Sequence, residues 1–462
     1  MIMAAASSLA VAVTEPANTF SGQLLSPGDA GYDDARKVHN GLIDKRPRLI
    51  ARCRGPADIV DALSIAQERN LEVSVRGGGH SVAGRAVGDD VLMVDLSPMK
   101  GIHVDRKART VRAQGGVTWG EFNRETQVHA LATTGGIVST TGIAGLTLGG
   151  GIGWLMGKHG LAVDNLLSVE IVTADGRVLV ANKEEHPDLF WGLRGGGGNF
   201  GVAASFEYRL HPLEPMITGG FVAHPFDKAR NVLRFYRDLK ASVPDELTLN
   251  AGLSPAPDVS GTKLVSMFAC HCGAPSDAEA AVGPIKNFGS PVLDEIGPMT
   301  YCQINGRLDE AYPRGALSYW KSRFLAELSD DAIDTMIECF ARSPATMTGN
   351  GIFLEHVHGA ATRVPVEDTA FPHRDDAYSL LIQSGWMDTA DTDQFIAWAR
   401  ESYEAMEPFM ASGGYMNYLD YDEAGDPVAV AYGPNYRRLQ ELKTKYDPDN
   451  FFHMNQNIRP LP

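Results

Sequence analysis

Along the first half of the chain the spacing of apolar residues switches repeatedly between a helical and a strand period. In PADIVDALSIAQERN, residues 56–70, Ile59, Val60, Leu63 and Ala66 recur at helical intervals behind a proline suited to a first helical turn. LEVSVR then alternates as a strand and runs into three consecutive glycines, Gly77 to Gly79. VLMVDLS, IHVD and TVRAQGG read as three short strands split by turn residues such as Lys100-Gly101. The pattern predicts a helix over residues 119–129, then two strands in SVEIVTADGRVLVA joined by a hairpin turn at Asp175-Gly176.

From about residue 216 the glycine clusters vanish. Strand-like stretches such as LTLNAGLS and KLVSMFAC alternate with the amphipathic helices DKARNVLRFYRDLKAS and DAEAAVGPIKNFG, which reads as a second α+β domain reaching about residue 413. The tail carries a helix that ends before Asp447-Pro448 and then a loop rich in amides.

Length agrees with this division, because 462 residues exceed what one small core organises. No apolar run reaches the roughly 18 residues of a spanning helix. The start, MIMAAASSLAVAVTEP, lacks a basic n-region and is not expected to act as a signal peptide. A net charge of −16 disfavours nucleic acid and anionic membrane surfaces as partners. Cys53, Cys270, Cys272, Cys302 and Cys339 are odd in number and include no C-x-x-C pair, so a reducing, cytoplasmic setting is expected rather than a disulfide framework. In CHC at 270–272 strand alternation turns His271 away from both cysteines, so no metal is expected there.

Three glycine-rich loops, RGGGHS at 76–81, TTGIAGLTLGGGIG at 140–153 and RGGGGNFG at 194–201, form a constellation. Backbone N–H groups freed of side-chain bulk converge into anion-binding nests, so several such loops together suit a long, diphosphate-bearing cofactor. A Rossmann site is the rival, with GGGIG at 149–153 and Glu170 downstream, but the G-x-G-x-x-G spacing and the preceding buried strand are missing. No P-loop motif occurs. His80, at the end of the first loop, reads either as a turn-capping residue or as a nucleophile tied to a cofactor.

RPRLIARCRGPADIVDALSIAQERNLEVSVRGGGHSVAG resembles the start of the FAD-binding domain of the vanillyl-alcohol oxidase superfamily, in its berberine-bridge-enzyme-like branch. GGIVSTTGIAGLTLGGGIGWL, KHGLAVDNLLSVEIVTADG, LFWGLRGGGGNFGV, YMNYLDYD and YDPDNFFHMNQNI resemble later segments of that branch, in its order. The resemblance implies an α+β, two-domain fold of vanillyl-alcohol-oxidase type. A PCMH-type FAD-binding domain of two α/β subdomains (1–215) would join a substrate domain with an antiparallel sheet covered by helices (216–413). Residues 414–462 would return to the FAD-binding domain and active site. It implies that Arg76, Gly77, Gly78, Gly79, His80 and Ser81 cradle the FAD diphosphate, with His80 bonded to the flavin 8α-methyl. Thr141, Gly142, Gly145 and Gly149 would line the cofactor, Val202 its adenine end, and Asn455 and Asn457 would close over the flavin.

Doubly linked members of the branch carry a cysteine in G-x-C-P-x-V-G; here GIVSTTG places Val138 and Ser139 at the Cys-Pro positions, which implies a single covalent link. In YMNYLDYD the resemblance makes Tyr415 and Tyr418 catalytic candidates, Tyr418 as the base, beside Asn417 and Asp420. Read as a strand, this segment puts Tyr415 and Asn417 on one face and Tyr418 on the other. A phenol titrates near pH 10 in water, so such a base needs help from its surroundings. His356, His358, Arg363, His373 and Arg374, with Tyr319 and Trp320, are candidates for the pocket wall or for the scaffold behind it. The expected activity is oxidation of a secondary alcohol or amine by proton abstraction and hydride transfer to FAD, with reoxidation by O₂ to H₂O₂. Transfer to another electron acceptor, and a flavin-binding role without turnover, stand as alternatives.

Overall fold

The computed structural model describes residues 20–258, 260–344, 347, 349–422 and 425–462; the apolar start, residues 1–16, lies outside them. Three sheets carry the architecture. In the first, Leu49–Arg52, Leu92–Asp95 and Val73–Arg76 run parallel, with Gln23–Leu25 antiparallel at one edge. Helix Pro56–Glu68 makes the crossover and buries Ile59, Leu63 and Ala66 of the residues spaced in the sequence, together with Ala62, while Val60 is only partly buried against the same core. That face also meets Val172 and Val202 of the second sheet, which ties the two sheets together.

The second sheet is antiparallel throughout, in the order Ile102–Asp105, Thr110–Gln114, Val202–Arg209, Leu166–Val172, Val178–Asn182. The Asp175-Gly176 hairpin forms where expected, with Gly176 at φ 77°. Helix Trp119–Gln127 starts on a Thr118/Glu121 capping box and stops short of residue 129, since Ala130 turns left-handed at φ 54°. The tail shares this sheet's core: Leu439, Leu442, Tyr446 and Ile458 pack with Phe190, Trp191 and Phe206.

The third sheet has eight strands, all antiparallel, running across from Ile217–Pro225 through Lys263–His271, Leu247–Pro255, Gly351–Val357 and Ala377–Trp386 to Leu317–Leu325. Helices Ala229–Leu239, Pro275–Asn287, Asp330–Ala341 and Thr392–Met406 supply apolar residues to a core whose buried members fall between Val222 and Met406, with Leu42, Phe409 and Met410 packed against it. Cys270 and Cys272 belong to an apolar cluster with Trp154 and Tyr301. Among the described residues no helix is long and apolar enough to cross a membrane.

Candidate active site

A cavity of about 730 Å³ lies between the first two sheets and the third. At one end all three glycine loops meet. Gly77 to Ser81 continue from strand Val73–Arg76, and Thr141, Gly142 and Gly145 open helix Ile143–Leu148 opposite them. The two loops touch backbone to backbone: a Cβ on Gly78 would stand 2.5 Å from Gly142 N, and one on Gly142 2.5 Å from Gly78 N. Only glycine permits that approach. Gly197, Gly198 and Gly201 bring in the third loop.

His80 lines this end, half-buried, with Nε2 3.2 Å from Thr140 Oγ1 and its ring stacked on His39 at 3.9 Å. Burial first, and His39 second, bring its pKa down to about 3, so the imidazole is neutral at physiological pH. Val138 also lines the cavity, and Ser139 is engaged by Asp309, its N–H donating at 2.9 Å.

Several sequence-expected positions serve differently. Strand alternation turns Arg76 away from the cavity: its guanidinium donates to Asp95 at 3.0 and 2.6 Å and to the Lys37 carbonyl, pinning the start of the loop. Val202 is fully buried beside Leu63 and Val94, and its neighbours Gly201 and Ala203 form the wall. Gly149 stands behind the wall and makes room for Asn417, whose Oδ1 would lie 2.1 Å from any Cβ there. Asn455 lines the cavity, its amide donating to Gly198 O and Phe452 O at 3.1 Å each and its Oδ1 left unpartnered. Asn457 lies outside the wall with Oδ1 unpartnered, and Gln456 lines it instead. Arg85, which the sequence reading passed over, also lines the cavity, with a buried Nε that has no partner.

At the other end stands Tyr418. Met416–Tyr418 is a 3₁₀ turn and not a strand, so Tyr415 and Tyr418 do not point apart; their rings meet edge to face at 4.7 Å. Tyr415 is set behind the wall. Its hydroxyl oxygen accepts from Gly151 N, Ile152 N and Asn417 Nδ2 at 3.0, 3.2 and 2.8 Å, which makes it a clasp between the turn and the second glycine loop. Tyr418 lines the cavity and donates to Glu355 Oε1 at 3.1 Å. Glu355 is 3% exposed, and burial lifts its pKa to about 7 against the easing effect of the Tyr418 and Ser379 hydroxyls. The same burial and the Glu355 charge hold the Tyr418 phenol well above its ordinary value.

Glu355 was the residue missed. It sits in the segment EHVHGAATRVP next to His356, and the signal was strand alternation: Phe353 and Glu355 face the cavity, while His356 turns to Asp376 at 2.8 Å and stacks on His358. Arg363 pairs with Asp245, Arg374 with Asp164 at 2.9 Å, and His373 with the Ala431 carbonyl at 2.9 Å; all five cationic or imidazole candidates therefore belong to the scaffold. Trp320 lines the cavity edge-on to Tyr418, whereas Tyr319 turns to Asp422.

Residues 47–182 match the family of FAD binding domains, and residues 414–459 match the berberine and berberine-like family. The chain is 31% identical over 453 residues to (R)-6-hydroxynicotine oxidase of Paenarthrobacter nicotinovorans, covering 96% of this chain and 97% of that one. This chain belongs to the berberine-bridge-enzyme-like FAD-linked oxidoreductases. Among solved structures, 6-hydroxy-D-nicotine oxidase from Arthrobacter nicotinovorans superposes with a TM-score of 0.86 at 29% identity over 96% of this chain and 99% of that one. A carbohydrate oxidase from Microdochium nivale superposes with a TM-score of 0.83 at 25% identity over 96% and 98%. The fold is thus the vanillyl-alcohol-oxidase type, with an FAD-binding and a substrate-binding domain. The glycine-only contact of the first two loops and the unpartnered polar atoms of Arg85 and Asn455 in the same cavity fit an anionic, amide-bearing cofactor such as FAD.

Proposed function

We propose that this oxidoreductase is an oxidase of alcohols or amines whose FAD is held by one covalent bond, at His80, and whose proton acceptor is the Tyr418–Glu355 pair. The observation that carries the reading is that pair: a phenol hydrogen-bonded to a buried carboxylate, facing the same cavity as the glycine loops. Bound FAD would supply the two-electron acceptor, taking hydride from the substrate carbon and returning to its oxidised state with O₂.

The chain's own residues would do the rest. Tyr418 alone is a poor base, because its phenol is held far above neutrality. Joined to Glu355 it becomes a relay: Tyr418 Oη accepts the proton of the substrate O–H or N–H as its own proton passes to Glu355. Glu355 with a pKa of about 7 is tuned to receive it near neutral pH. His80, neutral and oriented by Thr140 and His39, would offer the lone pair of its unprotonated ring nitrogen for bonding to carbon. With valine at 138 no thioether forms there.

Acid-precipitated wild-type protein is expected to keep its yellow colour in the pellet, and His80→Ala to lose it to the supernatant. Release of all flavin from the wild type overturns the covalent assignment. Assay of H₂O₂ against dye reduction checks the acceptor: an oxidase produces stoichiometric peroxide, and a dye-only enzyme does not.

A further inference from the structure

Residues 133–142 link strand Leu131–Ala132 to helix Ile143–Leu148 with no helix or strand of their own beyond an isolated bridge from Gly142 to Thr118. Gly136, Ile137, Val138 and Thr141 of this stretch line the cavity, and Thr140 Oγ1 stands 3.2 Å from His80 Nε2. Backbone without a sheet ladder needs partners from elsewhere. Trp119 N and Gly120 N donate to the Thr141 and Ser139 carbonyls at 2.9 and 2.8 Å, and Trp154 Nε1 donates to the Ile137 carbonyl at 3.3 Å.

The side of the third sheet reaches across to the same stretch. Helix Tyr301–Gly306 docks on helix Trp119–Gln127: Asn123 Nδ2 donates to Asn305 Oδ1 at 3.0 Å, both residues fully buried, and Cys302 N donates to Gln127 Oε1 at 3.0 Å. Asn305 Nδ2 in turn donates to the Gly136 carbonyl at 2.5 Å. Just past this helix Asp309 takes both polar groups of Ser139, the backbone N–H at 2.9 Å and the hydroxyl at 2.5 Å. A proline at 139 would offer neither group, so the clasp depends on serine. Leu308, Glu310, Ala311 and Tyr312, the neighbours of Asp309, all line the cavity. The third-sheet wall of the cavity is thereby joined to His80 through Asp309, Ser139 and Thr140.

Resting on the covalent reading above, we infer that Asp309 is a positioning residue for His80: by clasping Ser139 it fixes Thr140, and through Thr140 the orientation in which the imidazole bonds the cofactor. Stacking on His39 sets the plane of the ring, and the Thr140 hydroxyl decides which way round the ring stands in that plane. Attachment exchanges the imidazole N–H and a C–H of the flavin methyl for an N–C bond, and the electron pair and protons released pass to O₂ as H₂O₂. Only a ring held the right way round presents the bonding nitrogen. Loss of the clasp therefore slows attachment while leaving His80 itself in place, and the bond forms fast only where the third-sheet side is docked on the glycine loops.

The test purifies full-length wild type, Asp309→Ala, Asp309→Asn, Thr140→Val and the Asp309→Ala/Thr140→Val combination after a short induction. It reads Tm, total flavin and the share of that flavin which stays in an acid-precipitated pellet. Asp309→Ala and Thr140→Val are each expected to cut the share by about 5-fold at matched total flavin, the scale of one hydrogen bond. The combination should fall no further than either alone, because both act through one hydroxyl. Asp309→Asn, whose amide oxygen still accepts from Ser139, should keep at least about half the wild-type share. An unchanged share in Asp309→Ala, an equal drop in Asp309→Asn, or additive losses in the combination overturns the inference. Should Asp309→Ala not fold, Ser139→Ala removes only the hydroxyl part of the clasp and decides in its place: a lowered share supports the inference and an unchanged share overturns it. A wild type that releases all its flavin sinks the covalent reading and this one with it, whereas a wild type and an Asp309→Ala that retain it equally sink this one alone.

Discussion

At the residue scale, the burial of one carboxyl governs both chemistry and stability. Glu355 titrates near pH 7 in the folded chain and near its ordinary carboxylate value once unfolded. An ionised Glu355 is therefore disfavoured in the native state, and the folded chain loses stability as pH rises from the unfolded pKa through about 7. Glu355→Gln is expected to raise Tm at pH 8 and leave it nearly unchanged at pH 4, while substrate-driven flavin reduction falls about 100-fold or more. Thermal melts at the two pH values check the first part, and anaerobic stopped-flow the second. Tyr418→Phe should slow reduction to a similar extent without the gain in Tm, because it leaves Glu355 buried with one partner fewer. The sequence made Tyr418 visible through YMNYLDYD but not Glu355, whose neighbours His356 and His358 drew the eye by their chemistry. Alternation along Gly351–Val357 decided which of them faces the cavity.

At the element scale, periodicity was readable wherever one face of an element is buried. Helix Pro56–Glu68 and the Leu166–Val172/Val178–Asn182 hairpin follow directly from spacing and turn residues. The glycine loops were readable as a group, but not the facing of each residue in them. Arg76 and Val202 lie on strands, where adjacent residues serve opposite sides, and only the packed sheets fix which side is which. Met416–Tyr418 misled for a different reason: the segment forms a 3₁₀ turn in which Asn417 donates back to the Tyr415 hydroxyl and to the Leu146 carbonyl at 3.0 Å, the second a contact distant in sequence. Gly78→Ala puts a methyl against Gly142, a clash that neither loop relieves without backbone movement. Flavin content per chain of that variant is expected to drop severalfold, as read by absorbance of the purified protein.

At the scale of the whole molecule, the site exists only where the sheets and the tail converge. Lys443 and Asp447, both essentially unexposed, hold that convergence: Lys443 Nζ donates to Asp447 at 2.6 Å and to the Asn199 and Phe452 carbonyls at 2.8 Å each. Asp447 also receives the N–H groups of Phe451 and Phe452, at 2.8 and 2.9 Å. Asp447→Ala leaves a buried ammonium unpaired and is expected to cost about 3 kcal/mol or more by denaturant unfolding. Asn455 and Gln456 should then loosen over the cofactor end. The central claim joins that end to the Tyr418–Glu355 relay, and the rate of anaerobic flavin reduction as a function of pH, in wild type and Glu355→Gln, measures the connection most directly. The wild-type rate should climb through a midpoint near pH 7, and the variant should be slow and flat across the same range. Wild-type and variant profiles that coincide in height and shape would contradict it.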